Sequence, residues 1–222
     1  NEWALYVPED KKRDQSYFLF SIKIEDLDFI DFPLGDFTKN EIRDLAKNMH
    51  FHLHDKADSQ DICFIPDGDY KKFIKKSIKK PSKGEIVDLE NNVLENHEGI
   101  YNFTIGQRRG LGISKDKPMY VKEIDTKSNR VIVASKDEVC SKSFLVKDIN
   151  YLTVLNSSNI KVRVRSTGNF LNAKIEKTDN SHATIILDQP ENAISPGQAC
   201  VFYNKDNNGM RLLGGGWIDS TN

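Results

Sequence analysis

The sequence predicts an α+β protein that begins with mixed helical and extended segments and ends in an all-β region. Three observations carry this. Apolar residues at helical spacing occur early, in TKNEIRDLAKNM and again from Tyr70 to Ile78. From Gly84 the pattern changes to short β segments. After about residue 140 no helical periodicity remains, and six strand-like stretches follow one another, separated by Asn, Ser, Gly and Pro. The expected organisation is residues 1–65, 66–138 and 139–222.

In chain order, RDQSYFLFSI predicts a short helix with Asp14 as its cap. Thr38 and Glu41 stand at capping-box spacing ahead of a stripe of Ile42, Leu45, Ala46 and Met49, which predicts a second helix. DICFI has the apolar run of a buried strand and stops at Pro66-Asp67-Gly68. Tyr70, Phe73, Ile74 and Ile78 fall on one helical face, and Pro81 ends that helix. GEIVDL and NNVLE form a hairpin across Glu90-Asn91-Asn92, and MYVKEID and RVIVAS form another across TKSN. FLVKDIN, IKVRVRS, LNAKIEKT, HATIILD, ACVFYN and LLGGGWI then supply six strands, enough for a small closed barrel or sandwich.

The chain has 222 residues, and its 32 Lys and Arg nearly balance 33 Asp and Glu, so net charge selects no partner. The distribution is more telling. Seven lysines and no acid lie between Lys71 and Lys83, with further basic spots at Arg108-Arg109 and Lys161-Arg163-Arg165. The lysine cluster fits a solvated helix face. Three widely spaced cysteines argue for a reducing, cytoplasmic setting rather than a disulfide scaffold. No apolar run approaches the 18 residues of a membrane-spanning helix. The opening NEWALYVPED has no methionine and reads like part of a longer protein.

Cys63, in DSQDICFIPDGD, is either a small core residue or a nucleophile at a strand end facing a cleft. A reactive thiol needs nearby cations or a helix N-terminus, and the following basic helix could supply both. Cys140 in DEVCSKS and Cys200 in GQACVFY have structural contexts. His50, His52 and His54 alternate as metal ligands on a strand would, yet nothing completes such a site, so they fit a solvated loop. TIGQRRGLGIS lacks the dinucleotide fingerprint, and leaves phosphate contact by Arg108-Arg109 and plain turn formation both open. IKVRVRS puts Ile160, Val162 and Val164 on one face and projects Lys161, Arg163 and Arg165 from the other, toward water or a polyanion. GGGWIDST is superficially like a pyrophosphatase loop, but it has an extra residue between the glycines and Asp219.

Taken together, RDQSYFLFSI, DFPLGDFTKNEIRDLA, DSQDICFI, the stretch from Lys83 to Ser114, PMYVKEID, KVRVRS and SPGQACVFYN with LLGGGWI resemble the tRNA-specific 2-thiouridylases. The resemblance implies the end of an α/β nucleotide-binding catalytic domain, a small mixed central domain, and a C-terminal all-β barrel. It implies ATP-dependent replacement of the C2 oxygen of a tRNA wobble uridine by sulfur. That sulfur would be carried as a persulfide on Cys63 and delivered by a donor protein. Arg13, Asp14 and Gln15 match a tRNA-contacting tripeptide, Arg163 and Val164 a contact pair on the barrel, and Gln198 a further contact. The family's ATP loop and second catalytic cysteine have no counterpart in these residues, which places most of the ATP site elsewhere. Two other readings use the same residues: an RNA-binding module without catalysis, and a sulfur-relay or thiol redox protein built on Cys63.

Overall fold

The computed structural model describes residues 3–52, 73–74, 82–115, 117–192 and 194–221. Cys63, the strand expected at DICFI, the Pro66-Asp67-Gly68 turn and most of the expected helix from Tyr70 lie outside them. Chain contacts divide the protein into two units, one of residues 1–56, 141–190 and 195–222, the other of residues 57–140 and 191–194.

The N-terminal segment runs through β1 (Leu5–Tyr6) and then two tight 3-10 turns at Lys11–Arg13 and Ser16–Leu19. RDQSYFLFSI is therefore not the single short helix expected. Asp14 interrupts it with extended backbone, while its carboxylate accepts from the Ser16 amide at 2.8 Å. The next helix is as expected. α1 (Lys39–Asn48) opens on a complete capping box between Thr38 and Glu41. At its C-terminal end Phe51 N–H reaches Ala46 O and His50 takes φ 59°, a left-handed cap. That geometry removes His50 from any strand. Leu45 and Met49 of the apolar stripe stay exposed.

The second unit centres on β2 (Gly84–Val87), β3 (Val93–His97), β4 (Met119–Asp125) and β5 (Arg130–Ser135), followed by one turn of helix, α2 (Lys136–Val139). The sheet order is β3-β2-β5-β4, with both expected hairpins antiparallel and β2 parallel to β5. Ile86, Leu111, Val121, Val131 and Val133 form its core.

The final strands are β6 (Ser141–Tyr151), β7 (Asn159–Arg163), β8 (Leu171–Lys177), β9 (Ala183–Glu191), β10 (Ala199–Asp206) and β11 (Gly209–Thr221). Each overlaps one of the six stretches the sequence marked, although β7 stops at Arg163, three residues short of the end of IKVRVRS. Their order is β11-β10-β7-β8-β9-β6, and β6 returns to β11, so the sheet closes into a six-stranded barrel. The closure explains the glycine run. A Cβ on Gly214, which has φ 134°, would stand 2.1 Å from the Asn150 carbonyl oxygen on β6. A second core covers the outer side of β10. There Val201 and Tyr203 pack with Val7, Tyr17 and Phe20 of the N-terminal segment.

Candidate nucleic-acid interface

β7 keeps the alternation its sequence predicts. Val162 stands opposite Phe202, and both are fully buried. Arg163 points to the other face, opposite Val201 in register, and there the structure departs from expectation. That face is not open to water beside β10, because residues 5–20 lie across it. The Arg163 side chain is only 9% exposed and the Asp14 side chain 4%, and the two form an ion pair at 2.6 Å. Every guanidinium nitrogen of Arg163 is engaged. Nη1 bonds Asp14, Nε bonds Gly168 O at 3.1 Å, and Nη2 bonds Ser166 O. The rings of Tyr17 and Phe170 lie 6.0 and 5.2 Å from its central carbon.

The expected outward projection of Arg163 is thus corrected. The cation does meet an anion, as the cost of burying it alone requires, but the anion is Asp14 of the same chain. Val164 is in the core at 3% exposure and offers no side-chain surface to a partner. Lys161 and Arg165 are half-buried, with Lys161 Nζ donating to Asn172 Oδ1 at 2.6 Å.

The other matched motifs arrive at the same place. Tyr17 donates its hydroxyl to Ala199 O at 2.8 Å, and Ser16 Oγ lies 3.1 Å from the Tyr203 hydroxyl. Burial pushes both phenols up to about 12, so they remain neutral hydrogen-bonding groups at any ordinary pH. These bonds hold Arg13 and Gln15, both exposed, near the turn that presents Gln198. In that turn Gly197, at φ 84°, donates to Ile218 O, and Ile218 N–H returns to Gln198 O at 2.8 Å. Arg13, Gln15 and Gln198 are all exposed, and the Tyr17–Ala199 bond ties the segment that carries the first two to the residue next to Gln198. The supporting residues Ser16, Tyr17, Phe170 and Tyr203 were missed from sequence. The available signal was an acid, Asp14, closing the basic run Lys11-Lys12-Arg13.

The central unit holds the second basic motif. Phe103 packs against the core on one side and Leu111 enters it on the other. Between them Gly106 N–H bonds Val121 O at 2.7 Å, and Val121 N–H bonds Gln107 O at 2.9 Å. The Gln107 side chain accepts from Thr104 N–H at 3.0 Å and donates to Arg109 O at 2.9 Å. Arg108 and Arg109 are exposed on this loop.

Among the remaining candidates, Cys200 is wholly buried and burial pushes its thiol far up, which leaves it inert. Cys140 is free and half-buried at the end of α2. His52 is exposed near His50, and His54 lies outside the described residues. Among the described residues no group of three or more His, Cys, Asp or Glu could hold a metal ion. No helix there is long and apolar enough to cross a membrane.

Three family models match consecutive parts of the chain. They are a tRNA methyl transferase HUP domain over residues 1–67, a tRNA methyl transferase PRC-barrel domain over 71–135, and an aminomethyltransferase beta-barrel domain over 141–218. Similar proteins include the tRNA-specific 2-thiouridylase MnmA of Rickettsia typhi, 45% identical over 98% of this chain and 61% of its own length. That of Rickettsia prowazekii is 44% identical over 99% of this chain and 62% of its own length. That of Orientia tsutsugamushi is 43% identical over 98% and 59%. The chain belongs to the tRNA-specific 2-thiouridylase family. It spans about three-fifths of the length of these curated relatives.

Proposed function

We propose that the chain is part of a tRNA-uridine 2-sulfurtransferase, acting on the wobble uridine through a persulfide on Cys63. One observation carries the reading: identity of 43–45% to 2-thiouridylases runs through all three segments. The family-model descriptions name methyl transfer, but the full-chain relatives name sulfur transfer, and DSQDICFI supplies the cysteine that sulfur transfer needs.

The chemistry follows from the thiol. Adenylation of the C2 oxygen by ATP makes AMP the leaving group. The terminal sulfur of the Cys63 persulfide, a soft nucleophile, forms the C–S bond as AMP departs. A second thiol then attacks Cys63 Sγ, making a disulfide and leaving the sulfur on C2. ATP is a co-substrate whose binding we assign to no described residue, although the match to a HUP domain fits nucleotide binding. A sulfur-donor protein would reload Cys63 in the cytoplasm.

In the same proposal tRNA contacts the exposed residues Arg13, Gln15 and Gln198. Asp14 and Arg163 position that surface, and Val164 contributes core packing. The test uses the full-length enzyme loaded with a sulfur donor. Mass spectrometry should find added sulfur on the Cys63 peptide, and Cys63→Ser should lose both that mass and tRNA thiolation. Equal sulfur on Cys140 or Cys200, or thiolation by Cys63→Ser, would overturn the assignment.

A further inference from the structure

We propose that the loop from Gln107 to Gly112 is a second contact for the tRNA backbone, with the guanidinium groups of Arg108 and Arg109 binding phosphates. The inference rests on the tRNA reading above but uses residues that the reading does not assign.

The loop is built rather than merely exposed. Its ends are pinned by Phe103 and Leu111, and its middle is tied to β4 through Val121. Gly106, Gly110 and Gly112 hold φ of 81°, 75° and 73°, values that residues with a Cβ rarely adopt. The Gln107 amide bridges Thr104 N–H and Arg109 O, which fixes the backbone that carries both arginines. A loop ordered in advance loses less freedom on binding, so more of each contact appears as affinity.

Charge pairing gives the second, independent observation. Three cations of this unit have acidic partners, Lys83 with Glu98 at 2.8 Å, Arg130 with Glu85 at 2.8 Å, and Lys115 with Asp88 at 3.4 Å. Lys122, Lys127 and Lys136 form no ion pair among the described residues and stand singly. Arg108 and Arg109 have no such partner among the described residues. An acid near the loop, Glu95, has its Cγ 3.5 Å from where a Cβ on Gly112 would stand, and its Oε1 accepts from Asn96 N–H. Two adjacent unpaired guanidiniums on a fixed loop suit phosphate groups. Each is planar, weakly hydrated and able to donate two parallel hydrogen bonds. Backbone contact of this kind adds affinity and register without reading sequence.

The test is a salt titration of binding between the full-length enzyme and a tRNA transcript with an unmodified wobble uridine. Arg108→Ala and Arg109→Ala should each lower the slope of log affinity against log salt by about 0.7–0.9, and the double substitution by the sum. Arg108→Lys should keep the slope while weakening binding, because charge is retained and the planar fork is lost. Gln107→Ala should likewise keep the slope and weaken binding, because both arginines remain on a looser loop. Unchanged affinity and slope in the double alanine variant would overturn the proposal. Loss of sulfur loading with a normal tRNA slope would also overturn it, since the loop would then face an acidic protein. Absence of salt-dependent binding by the unsubstituted enzyme would instead remove the tRNA reading on which it rests.

Discussion

Arg163 on the barrel and the Arg108–Arg109 pair of the central unit carry the same functional group in opposite circumstances. Arg163 sits in the regular strand, where alternation predicted a cation turned outward. It is nearly buried, paired with Asp14 and hydrogen-bonded at every nitrogen. Arg108 and Arg109 sit in a loop that composition left undecided, and they are exposed on a fixed backbone. The difference lies in what covers each surface. A strand's period decides which of two faces a side chain takes, but a distant segment decides whether that face is wet. For β7 that segment is residues 5–20, from the far end of the chain; Asp14 and Arg163 are 149 apart.

The largest expected effect breaks the buried pair. Arg163→Ala leaves the Asp14 carboxylate without its cation, and Asp14→Ala leaves the guanidinium without its anion. Either should cost about 3–5 kcal/mol, as removal of one partner from a buried ion pair does. Replacing both should cost less than the sum, because no charge is then stranded. Arg108→Ala, at an exposed site, should stay within about 0.5 kcal/mol. Urea unfolding of the four variants measures all of this. Equal stability of Arg163→Ala and Arg108→Ala would erase the distinction between the two motifs.

A binding measurement separates position from contact. Asp14→Asn removes a negative charge close to a surface proposed to meet RNA, which by charge alone would tighten tRNA binding. If Asp14 serves through Arg163, the same change should instead weaken binding several-fold and leave the salt slope as it was. Tighter binding would mean that the carboxylate only repels the ligand.

Much of this architecture was legible because local rules and packing agree. Thr38 and Glu41 form the capping box their spacing announced, and all six late strands appear where alternation placed them. Barrel closure is foreshadowed in Gly214, Gly215 and Gly216, which let β11 approach β10 and β6 closely. The burial of Arg163 was not legible. Ser166 and Gly168 follow Arg163 in the next turn, but its counter-charge Asp14 is 149 residues away, and only the tertiary fold brings the two together. RDQSYFLFSI misled for a related reason. The Asp14 carboxylate bonds the Ser16 amide and Arg163 at once, which holds extended backbone inside an otherwise helical pattern.

A smaller effect sharpens the loop side of the comparison. Gln107→Ala removes two hydrogen bonds that tie Thr104 and Arg109 together, each worth about 0.5–1.5 kcal/mol. The loss should be local. Amide hydrogen exchange should quicken over residues 104–112 and stay unchanged at β10 and β11. If exchange there does not change, the glycines and core anchors alone fix the loop, and Gln107 has no part in presenting the arginines.

The smallest effect is a pH dependence confined to one unit. His97, 4% exposed, packs its ring 5.4 Å from that of Phe103, at the base of the arginine loop. Its Nδ1 accepts from Gly99 N–H at 3.0 Å, so the neutral ring carries its proton on Nε2. Protonation would turn Nδ1 into a donor facing another donor and would place a charge out of water. Burial accordingly holds the pKa below the ordinary 6.5. The unfolded chain then takes up a proton before the folded one does. The stability His97 contributes is present above 6.5 and is lost as pH falls below that value and through the folded pKa. The other described histidines, His50, His52 and His182, are exposed. Acidification from about pH 7.5 to about pH 5.5 should therefore speed amide exchange in β2, β3 and the arginine loop before it affects β10 or β11. His97→Gln, which keeps an acceptor but cannot be protonated in this range, should flatten that response. An equal response in both units, or one that survives His97→Gln, would show that some other group governs it.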